Sequence, residues 1–199
     1  MPIFFPLTGG PTWSPGKVGS YALTCDGVDD RGTTAGWNMT QYSWTMWLKA
    51  ATQISSSTIQ QPFVNGRSPS DVDEAWGFSW SHAQAGFRQA AFHRQANGQF
   101  VAAQIPGALL RPGIWHHLAA TYDGAALRMY LNGRLQATTP ATAPWTTTAP
   151  LTLCGTGGYS IFRGALDEVK IFTRPLSATE IAAEYGSPVR QGRHRQTVR

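Results

Sequence analysis

The chain is poor in cysteine, in acidic residues and in long apolar runs, and each shortage removes a class of protein. Two cysteines in 199 residues exclude a small domain stapled by several disulfides and any all-thiolate zinc centre. No stretch approaches the roughly 18 consecutive apolar residues of a membrane-spanning helix. The opening Met-Pro-Ile-Phe-Phe-Pro-Leu lacks a basic start and is broken by Pro2 and Pro6, so it does not read as a secretory signal. Asp and Glu together number 11 against 16 Lys and Arg, a formal charge of +5. Several of those bases crowd the last ten positions, so the charge speaks for solubility more than for an acidic partner. A Gly-x-Ser-x-Gly elbow, a phosphate-binding Walker loop and a zinc-ligand spacing are all missing.

What is present is apolar and aromatic. Hydrophobic residues make up 42% of the chain and aromatics 12%, enough for a sizeable core in one domain. The most informative run is Trp115 to Leu135, WHHLAATYDGAALRMYLNGRL. Asp123-Gly124 and Asn132-Gly133 are tight-turn pairs that accept φ > 0. Leu118, Ala120 and Tyr122 alternate on one flank, and Leu127, Met129 and Leu131 on the next. This predicts a three-stranded antiparallel meander over 116–122, 126–131 and 134–138. A sheet with one apolar face needs a second layer, so the expectation is an all-β, two-sheet antiparallel sandwich.

Other strands read the same way. They fall at 20–25, 41–50, 61–67, 76–81, 86–95 and 99–105, with a restart at 151–153. The last, 161–172, is a long strand pair or one bulged strand. In 41–50 both faces carry large residues, which suggests a central strand. Residues 1–19, rich in Pro and Gly, form an extended arm with one short edge strand at most. Residues 51–60 read as loop, 68–74 as an acidic loop, and the Ala/Thr/Pro stretch 137–150 as a loop too Pro-rich for a central strand. Ser177 and Glu180 make an S-x-x-E capping box flanked by Leu176 and Ile181, predicting a helix over 178–185 that stops at Gly186. The organisation is thus an arm (1–19), a sandwich domain (20–186) and a basic tail (187–199).

Three segments, SYALTCDGVDD (20–30), WHHLAATYDGAALRMYLNGRL (115–135) and FRGALDEVKIFTRPLSATEIAAEY (162–185), resemble the laminin G-like, concanavalin A-like jelly-roll family in order and spacing. The resemblance implies a concanavalin A-like jelly roll closed by one short helix. It departs at Arg31, where an aromatic is commoner, and at Cys25, where Phe is commoner. It leaves function open, since this fold carries lectins, adhesion modules, lyases, hydrolases and virion proteins.

Candidate sites follow from chemistry. Asp26, Asp29 and Asp30 in an acidic turn, with Asp167, could hold a structural calcium ion, which takes carboxylate and carbonyl oxygens. The competing reading is that Asp26 and Asp29 simply bond nearby amides, as turn Asp residues do. Otherwise no cofactor is expected. Asp167-Glu168 is the one carboxylate pair in a strand, but strand neighbours point to opposite faces unless a bulge intervenes. Two carboxyls sharing a cleft are what glycoside hydrolysis needs, so no catalytic residues are assigned. His116 and His117 diverge for the same reason, one expected beside Trp115 and the other facing solvent. Among Trp13, Trp37, Trp76, Trp80 and Trp145, weighed as sugar platforms, the ligand-binding set is Trp145, Trp76, Trp80 and Trp37. Trp145, in a Pro/Thr loop, is expected to be the most exposed. Trp44, Trp47 and Trp115 belong to the core. Phe4 and Phe5 in the arm and Arg190, Arg193, Arg195 and Arg199 in the tail are candidate partner-docking residues. Cys25 and Cys154 either form a bridge or stay as two buried thiols; without an export signal, free thiols are favoured.

The leading expectation is a non-enzymatic binding or structural protein. It would be a subunit on the surface of a bacteriophage particle (decoration, head-fibre or tail-associated) with a lectin-like jelly roll. Its partners would be other virion subunits, with homo-oligomer formation and surface glycans also in view, and neither nucleic acid nor a membrane. Its place would be the virion surface or the extracellular medium. The alternatives are a carbohydrate-binding module of a secreted multidomain protein and a polysaccharide lyase or hydrolase.

Overall fold

The computed structural model describes residues 4–51, 59–66, 75–81, 90–106, 109–157 and 160–186. Two sheets face each other. The nine-stranded sheet runs β1 (Leu7–Thr8), β4 (Arg31–Thr34), β13 (Leu151–Leu153), β6 (Ile59–Asn65), β7 (Trp76–Ser81), β8 (Ala90–Arg94) and β9 (Phe100–Gln104). Beside β6 lie β15 (Ser160–Ile161) and its partner β14 (Gly155–Gly157). The seven-stranded sheet runs β12 (Arg134–Pro140), β11 (Ala126–Leu131), β10 (His116–Tyr122), β5 (Tyr42–Ala50), β16 (Arg163–Phe172), β3 (Tyr21–Asp26) and β2 (Thr12–Pro15). Described strand pairs are antiparallel except β15 with β6. The chain is the predicted jelly-roll sandwich, with helix α1 (Ala178–Gly186) added at the end.

The central meander forms because its turn residues satisfy the backbone locally. Asn132 (φ 49°) and Gly133 (φ 76°) both take the left-handed conformation that a two-residue hairpin turn requires. The Asn132 side-chain oxygen accepts the His117 amide at 2.9 Å. In the other turn, one Asp123 oxygen accepts the amides of Ala125 and Ala126 at 3.0 and 2.9 Å. Burial pushes the Asp123 carboxyl up, but the Arg128 guanidinium and those amides outweigh it and hold it at about 2.

Strand β5 sits between β10 and β16 and is buried on both faces, as its two-sided sequence predicts. Trp44, Met46 and Leu48 face inward into the core shared with Phe63, Trp76 and Phe78 of the opposite sheet. Burying such side chains contributes about 1.5–3 kcal/mol each. On the outer face, Leu176 and Ile181 pack over Ala119 and Tyr130. The Ser43 hydroxyl accepts the Leu176 amide at 2.8 Å and donates to the Arg174 carbonyl at 2.9 Å. The capping box forms as read: Ser177 and Glu180 exchange side-chain-to-amide bonds of 2.8 and 3.2 Å.

Several expectations are corrected. Cys25 and Cys154 are not free thiols: they form a disulfide, Cα atoms 6.0 Å apart, joining β3 of one sheet to the residue after β13 in the other. Residues 137–140 are strand, since β12 continues through Pro140; as the edge strand, it loses no ladder bond to proline. The arm holds two short strands, one at the edge of each sheet. The closing strand is the bulged alternative: its register with β5 shifts between Asp167 and Lys170, and Glu168 has φ 48°. The acidic loop 68–74 lies outside the described residues, as does most of 51–60.

The sandwich closes unevenly. At one side β12 packs beside β9. At the other, the arm passes from β1 to β2 through Gly9 and Gly10, both at positive φ. Gly9 lies so close to the acidic turn that a Cβ there would sit 2.3 Å from the Asp29 carbonyl oxygen.

Candidate ligand-binding site

Of the predicted sugar platforms, Trp145 lies half-buried at the surface between β8 and the Ala/Thr/Pro loop. Strands β8 and β9 are joined by a tight turn at Asn97-Gly98, which sets Arg94 directly opposite Phe100. The Ala/Thr/Pro loop then runs beside this hairpin: the Trp145 amide donates to the Arg94 carbonyl at 2.7 Å, and Ala96 to Ala143 at 2.8 Å. The Arg94 guanidinium therefore lies 4.3 Å from the Trp145 ring centre and 5.5 Å from that of Phe100. Such cation–π contacts contribute about 0.5–1 kcal/mol at exposed sites. They fix the indole while leaving it half-buried rather than submerged, and Phe100 is 41% exposed. The same loop continues into a shallow groove of about 610 Å³ lined by Thr33, Thr34, Ala35, Asn38, Thr148 and Pro150. Asn38 holds the loop in place through paired bonds with the Thr147 main chain, 3.0 and 2.8 Å.

The other tryptophans differ. Trp76 is only 1% exposed and stacks on Tyr42; its faces are occupied by core residues, so it offers no platform. Trp37 is half-buried against the core, its main chain gripped by the Asn65 side chain at 2.8 and 2.9 Å. The side chain of Trp80 lies outside the described residues. Sequence reading missed Arg94 and Phe100, although their places on either side of the Asn97-Gly98 turn, three residues before it and two after, were a usable signal.

The acidic turn brings Asp26, Asp29 and Asp30 together, one oxygen of each within 4.8 Å of the others. Asp26 also forms the expected turn bond, accepting the Val28 amide at 2.8 Å. Asp30 is 6% exposed; one of its oxygens accepts the Asp26 amide at 2.7 Å, while the other has no partner. Burial pushes its carboxyl up, as do the neighbouring Asp26 and Asp29 charges. A buried, bare carboxylate oxygen beside two exposed carboxylates suits a hard cation such as calcium. Asp167 is not part of this group. It pairs with Trp47 on the outer face of its sheet and accepts the Lys17 and Val18 amides, each at 2.8 Å.

The Asp167 carboxylate is thus committed to the arm, and burial raises it despite those amides. Glu168, in the bulge, pairs with Lys170 at 3.0 Å. Both histidines are buried, against the expectation that one would face solvent. His116 Nε2 accepts the Arg111 amide at 3.1 Å, and His117 packs on the other face between Trp47 and Tyr185. Phe4 is exposed and Phe5 half-buried against the core. The tail arginines lie outside the described residues.

A laminin G-type family model, described as the concanavalin A-like lectin/glucanases superfamily, matches residues 26–182. No curated protein matches in sequence. Among solved structures, domain 4 of an extracellular arabinanase from Geobacillus stearothermophilus, in complex with arabinotriose, is similar at 19% identity and TM-score 0.62. The match covers 87% of this chain and 80% of that one. The binding domain of Paraclostridial Mosquitocidal Protein 1 is similar at 12% identity and TM-score 0.69, covering 92% and 47%. A structure of botulinum neurotoxin type C, whose cell entry depends on two ganglioside molecules, gives 12%, 0.68, 92% and 46%. This chain spans about half the length of those toxin chains.

Proposed function

The chain belongs to the concanavalin A-like lectin/glucanase superfamily, and we propose that within it this domain is a non-enzymatic glycan-recognition module. The observation that carries the reading is the Trp145 ring, stacked on Arg94 beside Phe100 at the surface, on a loop that runs into a groove lined in part by threonine hydroxyls. An indole face suits the apolar face of a sugar ring, and fixed polar groups suit its hydroxyls. The structural relatives that are bound to arabinotriose or dependent on gangliosides support the same class of ligand. The Cys25–Cys154 bridge supports an oxidising, extracellular setting, and among the described residues no helix is long and apolar enough to cross a membrane. The acidic turn is proposed as a structural calcium site held by Asp26, Asp29 and Asp30; the ion would neutralise the buried Asp30 charge and rigidify the turn. A glycan array probed with the wild-type chain and with Trp145→Ala tests the reading. Specific binding that the substitution abolishes is expected, and an array on which the wild type binds nothing would contradict it.

A second reading, a subunit on the surface of a phage particle, draws on the apolar arm. Phe4 is 80% exposed and Leu7 39%, as residues awaiting a protein neighbour are. Co-purification of the chain with capsid or tail proteins of a particle would favour it; a monomer that binds glycan with no particle partner would not.

A further inference from the structure

Where the two sheets part at the β1–β2 edge, an apolar cleft remains. It has a volume of about 590 Å³, and its walls include Phe4, Leu7, Trp13, Tyr21, Leu166 and Ile171. Trp13 is 62% exposed and Tyr21 64%. Large aromatics exposed together in one concavity, rather than singly, mark a binding surface. The register explains their placement. Trp13 pairs with Leu23 and Pro15 with Tyr21, and Leu23 points into the core. Trp13 and Tyr21 therefore stand on the same inward face as diagonal neighbours, at the β2 edge of their sheet.

The polar side of the cleft comes from β16. Strand β3 accompanies β16 only through Leu166, whereas β5 accompanies it through Phe172. Beyond the bulge, the flank of β16 away from β5 has no strand neighbour among the described residues. Its outward main-chain N–H and C=O groups can meet a ligand. Glu168 and Lys170 also border the cleft, but the Lys170 amine is held by Glu168 at 3.0 Å and by Glu184 of α1 at 2.8 Å.

We propose that this cleft is a carbohydrate subsite separate from Trp145. Trp13 and Tyr21 would stack on the apolar faces of neighbouring sugar rings, and the outward main-chain groups of β16 beyond the bulge would bond their hydroxyls. The volume falls within the roughly 300–1,000 Å³ of small-ligand sites. A protein partner typically buries about 800 Å² a side over a broad patch, which a narrow cleft between two sheet edges does not present. A sugar also needs an aromatic surface beside hydrogen-bonding groups, and here Trp13 and Tyr21 stand next to the open flank of β16 in the same sheet.

The assignment rests on the glycan-recognition reading, and the test separates the two. Neutral trisaccharides of glucose, xylose, arabinose and galactose are titrated into the wild type, Trp13→Ala, Tyr21→Thr and Trp145→Ala, with folding checked by thermal melts. Hydrogen exchange is followed at the Val169–Phe172 amides. The expected result is a sugar whose affinity falls about tenfold or more in Trp13→Ala and Tyr21→Thr but survives Trp145→Ala, with slowed exchange at 169–172. Binding lost only in Trp145→Ala, with exchange at 169–172 unchanged, overturns the cleft assignment and leaves the glycan reading standing. No binding by the wild type overturns both. Self-association of the wild type that Trp13→Ala abolishes would instead make the cleft a protein interface and overturn the proposal.

Discussion

The Tyr42 hydroxyl lies 3.0 Å from Nδ1 of His93, a hydrogen bond that crosses the sandwich from β5 to β8. The other ring nitrogen, Nε2, lies 2.9 Å from the Thr142 carbonyl. A carbonyl can only accept, so Nε2 carries the proton and Nδ1 accepts from the tyrosine; His93 is neutral in the fold. Burial lowers its pKa to about 4, against the opposing pull of the Thr142 and Ala143 carbonyls.

Acid should therefore loosen the sandwich. A folded-state value below the ordinary 6.5 means that the unfolded chain binds the proton first, so stability falls as pH drops from about 7 towards 4. For His93 the full loss is about 3 kcal/mol. His117, also lowered to about 4 by burial, adds to the slope. Urea midpoints at pH 7, 5.5 and 4 should decrease in order. In His117→Phe, which keeps a ring against Trp47 and Tyr185, the decrease should be smaller. Midpoints that do not move with pH would refute the neutral, buried assignment.

The Cys25–Cys154 bridge spans 129 residues of sequence and so restricts the unfolded chain strongly. Replacing both cysteines with serine is expected to cost about 2–5 kcal/mol, measured as a shift in urea midpoint, and reduction of the wild type should give a similar loss. Equal stability of the oxidised and reduced chains would show that the bridge does not form.

Calcium should raise the melting temperature, and a chelator should reverse the rise. At about 100 times its dissociation constant a ligand adds about 2.7 kcal/mol. In Asp30→Asn, which removes the buried charge, the calcium response should disappear. An unchanged wild-type midpoint would leave the acidic turn as a hydrogen-bonded turn and nothing more.

The helix cap gives a smaller effect. Ser177→Ala removes the acceptor of the Glu180 amide and should cost about 1 kcal/mol, read from chemical denaturation; Thr at the same position should restore most of it.

These expectations differ in how far the sequence alone supported them. The Asp-Gly and Asn-Gly turns, the alternation in 116–131 and the Ser177–Glu180 box are local signals, and the structure reproduces them nearly to the residue. Tryptophan exposure is not local. Trp145 reads as the more exposed from its Pro/Thr loop, but nothing in the sequence removes Trp76 from the sugar-binding set; it ends inside the core on Tyr42, because the opposing sheet decides what is covered. The disulfide depends on β3 and β13 facing each other across the sandwich, which no spacing reveals. The cleft at Trp13 and Tyr21 depends on β3 stopping short along β16, a matter of strand lengths fixed only when the sheet assembles.

The most direct measurement of the central claim is a calorimetric titration of an array-selected oligosaccharide into the wild-type chain, with the sugar recovered and sized afterwards. Saturable binding with the oligosaccharide recovered intact is the predicted result. Recovery of shortened or unsaturated products would contradict a module that recognises glycans without breaking them.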